Sequence, residues 1–270
     1  MKITFLGGGN MAAALIGGLV KQGFKATDVQ VVELFAEGRA KLESRFGVRA
    51  VEVLDEQALA CDVLVLAVKP QQLKVAVEPL KGRLSSQVVV SIAAGLRLAD
   101  IGRWLGDYRK LVRAMPNTPA LIGAGITGLF ADASVSAEGR AAAEKVLSAV
   151  GSTVWVPDEA QIDGVTAISG SGPAYVFHFI ECLQASGEAL GFDAATARKL
   201  AIDTVLGSAR LAAGSEDSPA VLRERVTSKG GTTAAALASF AADHFPAVLD
   251  RAVAAAAARG RELGEELGRD

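Results

Sequence analysis

Short apolar runs alternate with helically spaced apolar residues along the first 157 positions of the chain. Residues 2–6, 29–32, 62–67, 87–92 and 110–115 read as strands, and residues 37–46, 71–80 and 98–105 as helices between them. Residues 123–130 and 152–156 add strands around a helix from about 136 to 150. This β-α-β alternation predicts a mostly parallel, doubly wound sheet over residues 1–157. Beyond Pro157 the strand signals stop. Residues 158–270 are rich in alanine and leucine at helical spacing, with breaks at Gly191, 214–219, 229–231 and 244–246. The predicted class is α/β followed by an all-α domain.

The first apolar run ends in a turn, Leu6-Gly7-Gly8-Gly9-Asn10-Met11-Ala12, that opens an amphipathic helix carrying Met11, Leu15, Ile16, Leu19 and Val20. Gly7, Gly9 and Ala12 fall on the three small positions of a dinucleotide-binding turn: a tight bend, a close approach to pyrophosphate, and helix packing. Phosphates would sit on the helix N-terminus, where unpaired N–H groups and the helix dipole favour negative charge. Glycines also mark ordinary turns, and it is the strand before and helix after that favour the nucleotide reading. Glu33 follows the second strand, where an acidic side chain commonly holds the adenosine ribose. The alternative is that Glu33 faces solvent and Arg39 reaches a 2′-phosphate.

Composition narrows the classes. A net charge of −2 gives no electrostatic footprint for nucleic acid, and no apolar stretch approaches the ~18 residues of a membrane span. The chain enters its first strand without a basic segment and apolar signal core, so a cytoplasmic location is expected. Cys61 and Cys182 form no metal-ligand pattern and are expected to be buried thiols; no metal site is predicted. The alanine-rich helical half has limited apolar area of its own. Packing against a second subunit would supply more, although helix propensity and a GC-rich genome explain alanines equally well.

Four loops stand at carboxyl ends of strands or in the helical half: Ala67-Val68-Lys69-Pro70-Gln71, Ser91-Ile92-Ala93-Ala94-Gly95, Arg113-Ala114-Met115-Pro116-Asn117-Thr118-Pro119 and Ser169-Gly170-Ser171-Gly172-Pro173-Ala174-Tyr175. Open α/β sheets bind ligands at carboxyl ends. Singly, Lys69 reads as a solvated lysine and Asn117 as a turn cap. A further loop, Val226-Thr227-Ser228-Lys229-Gly230-Gly231-Thr232-Thr233, leads into a helix, so the N–H groups of Gly231, Thr232 and Thr233 can converge on an anion such as a carboxylate. Either threonine serves as a plain helix cap in the competing view.

Together, FLGGGNMA, AVKPQ, SIAAG, RAMPNTPA, SGSGPAY and VTSKGGTTAAAL resemble, in order and spacing, the pyrroline-5-carboxylate reductase family over nearly the whole chain. The resemblance implies an N-terminal Rossmann domain, a C-terminal helical dimerisation domain interlocked with its partner, and in many members a decamer of five dimers. It implies reduction of (S)-1-pyrroline-5-carboxylate to L-proline by NADH or NADPH. The residues Leu6, Gly7, Gly8, Gly9, Asn10, Met11, Ala12, Glu33, Ala67, Val68, Lys69, Pro70, Ala93, Ala94, Gly95 and Asn117 then fall on the cofactor side. Ser228, Gly230, Gly231, Thr232 and Thr233 fall on the substrate, with Thr233 beside the ring nitrogen as the catalytic residue. Lys229 and Ala241 depart from the family pattern without touching the glycines. Glu33-Leu34-Phe35-Ala36 stands where members preferring NADPH carry small hydroxyl or basic residues, which tilts the expectation toward NADH. Two rival readings are a β-hydroxyacid dehydrogenase relative, which needs a lysine on the helix after SGSGPAY, and a non-catalytic dinucleotide-sensing dimer. Both histidines, His178 and His244, read as structural.

Overall fold

An eight-stranded sheet whose central strands are buried on both faces builds the first half of the computed structural model, which describes residues 1–269. Its strands are β1 (Ile3–Leu6), β2 (Val29–Val32), β3 (Arg49–Val51), β4 (Val63–Leu66), β5 (Val88–Ser91), β6 (Leu111–Met115), β7 (Gly125–Ala131) and β8 (Gly151–Trp155). The sheet order is β3-β2-β1-β4-β5-β6-β7-β8. β1 lies between β2 and β4, with Ile3 opposite both Val29 and Val63, so the direction of strand addition reverses beside β1. Pairing is parallel from β3 to β6, and β7 joins β6 antiparallel before β8 pairs with β7 in parallel. Seven of the strands fall on predicted runs, with ends shifted by one or two residues at most of them. The edge strand β3 had no apolar run to announce it, because Arg49, Ala50 and Val51 are each only half-buried.

Helices α1 (Asn10–Lys21), α2 (Ala36–Phe46), α3 (Glu56–Leu59), α4 (Pro70–Val77), α5 (Leu98–Trp104), α6 (Ala137–Leu147) and α7 (Gln161–Val165) connect the strands or follow them. One face of the sheet buries Leu15, Ile16 and Leu19 of α1 with Val146 and Leu147 of α6. The opposite face buries Leu73 and Val77 of α4 with Ile101 and Trp104 of α5. Each of the larger aliphatic side chains contributes about 1.5–3 kcal/mol by leaving water, which fixes the strand ends that carry the loops below.

By contacts, Met1–Ser171 and the stretch from Ala256 onward form one compact unit, and Gly172–Ala255 another. Strands stop at Trp155, close to the predicted boundary, while α7 and the π-helical turn Thr166–Gly170 still group with the sheet. Gly128 of β7 makes that possible, since a Cβ there would lie 2.6 Å from a methyl of Val165.

The second unit is helical: α8 (Gly172–Ala189), α9 (Ala194–Ala213), α10 (Pro219–Arg225), α11 (Thr232–Ala242) and the first part of α12 (Phe245–Gly268). Asp193 caps α9 by accepting from the N–H groups of Ala195 and Thr196, and Ser218 caps α10. In the unit itself Ala197 and Ala201 are buried, whereas α8, α10 and α11 bury no side chain and Phe177, Leu211 and Val226 are exposed. Cys61 is buried as expected, with burial pushing its thiol up. Cys182 is not: it lies exposed on α8, a helix without enough neighbours to cover it. Among the described residues no helix is long and apolar enough to cross a membrane.

Candidate functional site

The turn after β1 is shaped by crowding beneath it and space above it. Gly7 has φ +100, and a Cβ on it would lie 2.8 Å from both Ala67 O and the Val68 side chain, so the β1 and β4 loops touch through a missing side chain. Gly9, by contrast, has nothing within 4 Å of where a Cβ would be. It precedes α1 as an N-cap with no side chain to satisfy the first turn, and that turn has no acidic residue. A backbone donor set facing open space is what a pyrophosphate needs, and the residues fit a dinucleotide. Ala12, the third small position, is buried.

Glu33 does more than stand near this turn. Its Oε2 accepts the Gly8 N–H at 2.9 Å and its Oε1 accepts the Phe35 N–H at 2.9 Å. The carboxylate therefore links the glycine turn to the bend after β2. Arg39 reaches back to the same bend, where Nη1 donates to Glu33 O (2.9 Å) and Leu34 O (2.7 Å) and Nη2 meets Glu52 Oε2 at 3.1 Å. The alternative in which Glu33 faces solvent and Arg39 stands ready for a phosphate is not the arrangement seen.

Three other predicted loops emerge along the carboxyl edge of the sheet. Lys69 is exposed and precedes α4, with Pro70 in its first turn. Ala93 and Gly95 are buried behind β5, with Ala94 half-buried between them. Asn117 is buried, and its Oδ1 accepts the Ile126 N–H at 3.0 Å, which commits that oxygen to holding the start of β7.

Sequence reasoning missed the charges beneath these loops. Arg113 sits in β6 with its side chain 1% exposed, Nη2 3.0 Å from Asp163 Oδ1 and Nη1 3.4 Å from Glu159 Oε1. Asp163 Oδ2 also meets Arg97 Nη2 at 2.6 Å, and Glu159 Oε1 accepts the Leu98 N–H at 2.8 Å. Burial pulls the Arg113 guanidinium below its ordinary value, while the Glu159 and Asp163 carboxylates oppose that shift. One cluster thus ties the chain just after Gly95, just before Asn117, and at α7. The signal was present: an arginine amid Leu111, Val112 and Ala114 must find a partner.

The predicted anion loop lies in the helical unit. Gly230 has φ +73, and Gly231 is the N-cap of α11 with no side-chain capping bond. Neither threonine is the cap, since Thr232 and Thr233 are the first two helical residues. The Gly231 N–H is spent on Ser228 O at 3.0 Å, which removes it from the predicted trio of donors. The N–H groups of Thr232 and Thr233 start an eleven-residue helix and remain directed outward. Ser228, Thr232 and Thr233 are exposed and Gly231 half-buried. His178 is exposed and paired with Glu181 at 3.1 Å, and α8 contains no lysine, which removes the group a β-hydroxyacid dehydrogenase would need.

Comparison with known proteins agrees with both halves. The profile for pyrroline-5-carboxylate reductase dimerisation matches residues 159–263, and that for coenzyme F420-dependent NADP oxidoreductase matches residues 2–95. The chain is 48% identical to a pyrroline-5-carboxylate reductase of Pseudomonas aeruginosa, with 99% of this chain and 98% of that protein covered. It is 42% identical to one from Haemophilus influenzae over 97% of each. A solved pyrroline-5-carboxylate reductase from Coxiella burnetii superposes with a TM-score of 0.93 at 42% identity, covering 97% of this chain and 98% of that one. The Plasmodium falciparum pyrroline carboxylate reductase with NADP bound gives 0.85 at 29% identity over 98% of both chains.

Proposed function

The chain belongs to the pyrroline-5-carboxylate reductase family, and from that premise we propose how its two parts divide the work of the reaction. It reduces (S)-1-pyrroline-5-carboxylate to L-proline with NAD(P)H, the last step of proline biosynthesis. A reduced nicotinamide supplies the hydride. The Rossmann domain, residues 1–157, holds it by the N–H groups at the start of α1, the loop Ala67–Pro70, the loop Ala93–Gly95 and Asn117. The helical domain, 158–270, receives the substrate carboxylate on the N–H groups of Thr232 and Thr233, with Ser228, Gly230 and Gly231 shaping the turn.

The uncapped start of α11 carries this reading. A protonated cyclic imine is already electrophilic, so when hydride adds to C5 the C=N electron pair moves to a nitrogen that has its proton. No strong acid is required of the protein; position is. The Thr233 hydroxyl orients the ring nitrogen through a hydrogen bond. Both NADH and NADPH serve, with a tilt toward NADH, because the Glu33 carboxylate on Gly8 would repel a 2′-phosphate and Arg39 is already engaged. The helical domain self-associates as a dimer, five of which form a decamer, in the cytoplasm. The test is oxidation of NADH and of NADPH by purified protein with pyrroline-5-carboxylate, with L-proline as product. A comparison of the two kcat/KM values reads the tilt, and no turnover with either cofactor overturns the reading.

A further inference from the structure

The last part of α12 is packed onto the sheet unit by missing side chains. Gly264 is the one buried residue of α12 among the described residues. A Cβ built on it would lie 2.5 Å from Gly95 O, 3.5 Å from Gly95 C and 3.7 Å from Arg97 Nε. From the other side, a Cβ on Gly95, whose φ is +84, would lie 3.4 Å from Gly264 N and 3.6 Å from Leu263 Cβ. One turn further on, a Cβ on Gly268 would come 2.5 Å from Asp100 Oδ2, and Arg103 Nη2 donates to Gly268 O at 2.9 Å. Leu267 packs against the apolar cluster that contains Leu96, Leu98 and Ile101.

The two glycine contacts differ in what they press on. Gly268 meets a carboxylate that can rotate away. Gly264 meets a backbone carbonyl in a buried loop, with backbone on both sides and no flexible atom to yield. That loop closes the carboxyl end of β5, and β5 neighbours β4, whose loop touches Gly7. Ligands of open α/β sheets bind along this edge. We propose that Gly264 is a positioning residue for hydride transfer: its lack of a side chain lets the final helix seat against Gly95 O and sets the height of the Ala93–Gly95 backbone beneath the nicotinamide. This rests on the reading, proposed above, that the loop faces the cofactor. A methyl at Gly264 needs the loop or helix to move by about 1 Å to restore an ordinary contact. A displacement of that size at a reacting centre can cost about a hundredfold in rate.

The sequence supplies its own controls. Gly260 lies one turn earlier on α12 with nothing within 4 Å of its would-be Cβ. G264A, G268A and G260A in the full-length protein would be compared for Tm, NADH Kd, kcat, KM for pyrroline-5-carboxylate, and the isotope effect with 4-deuterated NADH. G264A is expected to lose roughly ten- to a hundredfold in kcat with a larger isotope effect, while NADH Kd changes by less than about threefold. G260A and G268A should keep kcat within about twofold, since a methyl at Gly260 meets nothing within 4 Å, alanine favours the helix, and the Asp100 side chain at Gly268 can yield. Wild-type kcat and isotope effect in G264A would overturn the proposal, as would G264A and G268A losing kcat in step with Tm.

Hydrogen exchange on the wild-type protein covers the case in which G264A does not fold. NADH should slow exchange in both 92–95 and 261–268, but not in 248–256. Protection confined to 92–95 would equally overturn the coupling. A wild-type protein that fails to bind NADH at all refutes the cofactor reading instead, so the two failures are distinguishable.

Discussion

Asp163→Asn should destabilise the protein more than Arg113→Met, although both break the same ion pair. Asp163 sits between two guanidiniums, Arg113 at 3.0 Å and Arg97 at 2.6 Å, and its side chain is 4% exposed. Neutralising it leaves two cations close together, and Arg113 keeps only the 3.4 Å contact to Glu159. Stranding one member of a buried pair costs about 3–5 kcal/mol. Arg113→Met instead removes the buried cation and leaves Asp163 paired with Arg97. Methionine also fills much of the space, so the cost falls to about 1–2 kcal/mol. With about 2–4 °C per kcal/mol for a chain of this size, the Asn variant should melt roughly 6–20 °C lower and the Met variant by only a few degrees. Urea unfolding followed by circular dichroism measures both, at one fixed protein concentration because association adds to apparent stability. The double variant should resemble Arg113→Met more than the sum of the single changes, since no buried cation remains to be stranded. An Asn variant within 1 kcal/mol of wild type, or a Met variant at least as unstable, would refute the reasoning.

Thr233→Ala should lower kcat while NADH Kd holds, at a cost on the order of 1 kcal/mol for one neutral hydrogen bond; unchanged kcat and KM would remove the hydroxyl from the site. Glu33→Ser should shift the ratio of kcat/KM values toward NADPH, and a wild type favouring NADPH more than about tenfold, with no shift on substitution, would contradict the role given to Glu33. At alkaline pH, Tyr108 should contribute to unfolding. Desolvation pushes its phenol up to about 12 while its hydroxyl donates to Gln87 O at 2.6 Å. Its folded value being raised, the stability it contributes is full below about pH 10 and is lost as pH rises toward about 12, by about 1–2 kcal/mol after discounting for partial exposure. Tyr108→Phe should flatten that part of the pH–stability curve, which chemical denaturation at fixed pH would record.

What the sequence made visible follows from how far apart the interacting parts lie. β4 is a continuous apolar run and β5 opens with three consecutive valines because both faces of the sheet are covered, and such runs can be read within a window of a few residues. The glycine turn was legible for the same reason: strand, turn and helix start are contiguous. β3 escaped because a three-residue edge strand buries too little to shape its own composition. Glu33 was legible by its place after β2, but its bond to Gly8 needed the pairing of β1 with β2 that brings the two turns together. Arg113 announced only that a partner must exist; Asp163, between Ile162 and Gly164, and Arg97, between Leu96 and Leu98, are far from it along the chain, and nothing local links the three. Gly264 was the least legible of all, because a glycine in an alanine-rich helix reads as a weak point of that helix. Its meaning depends on Gly95, far away along the chain, where the carbonyl leaves no room for a methyl. Local pattern therefore sufficed to single out the glycine turn and the loops at the strand ends, whereas the packing of Gly264 on Gly95 is a long-range contact that no window of the sequence contains.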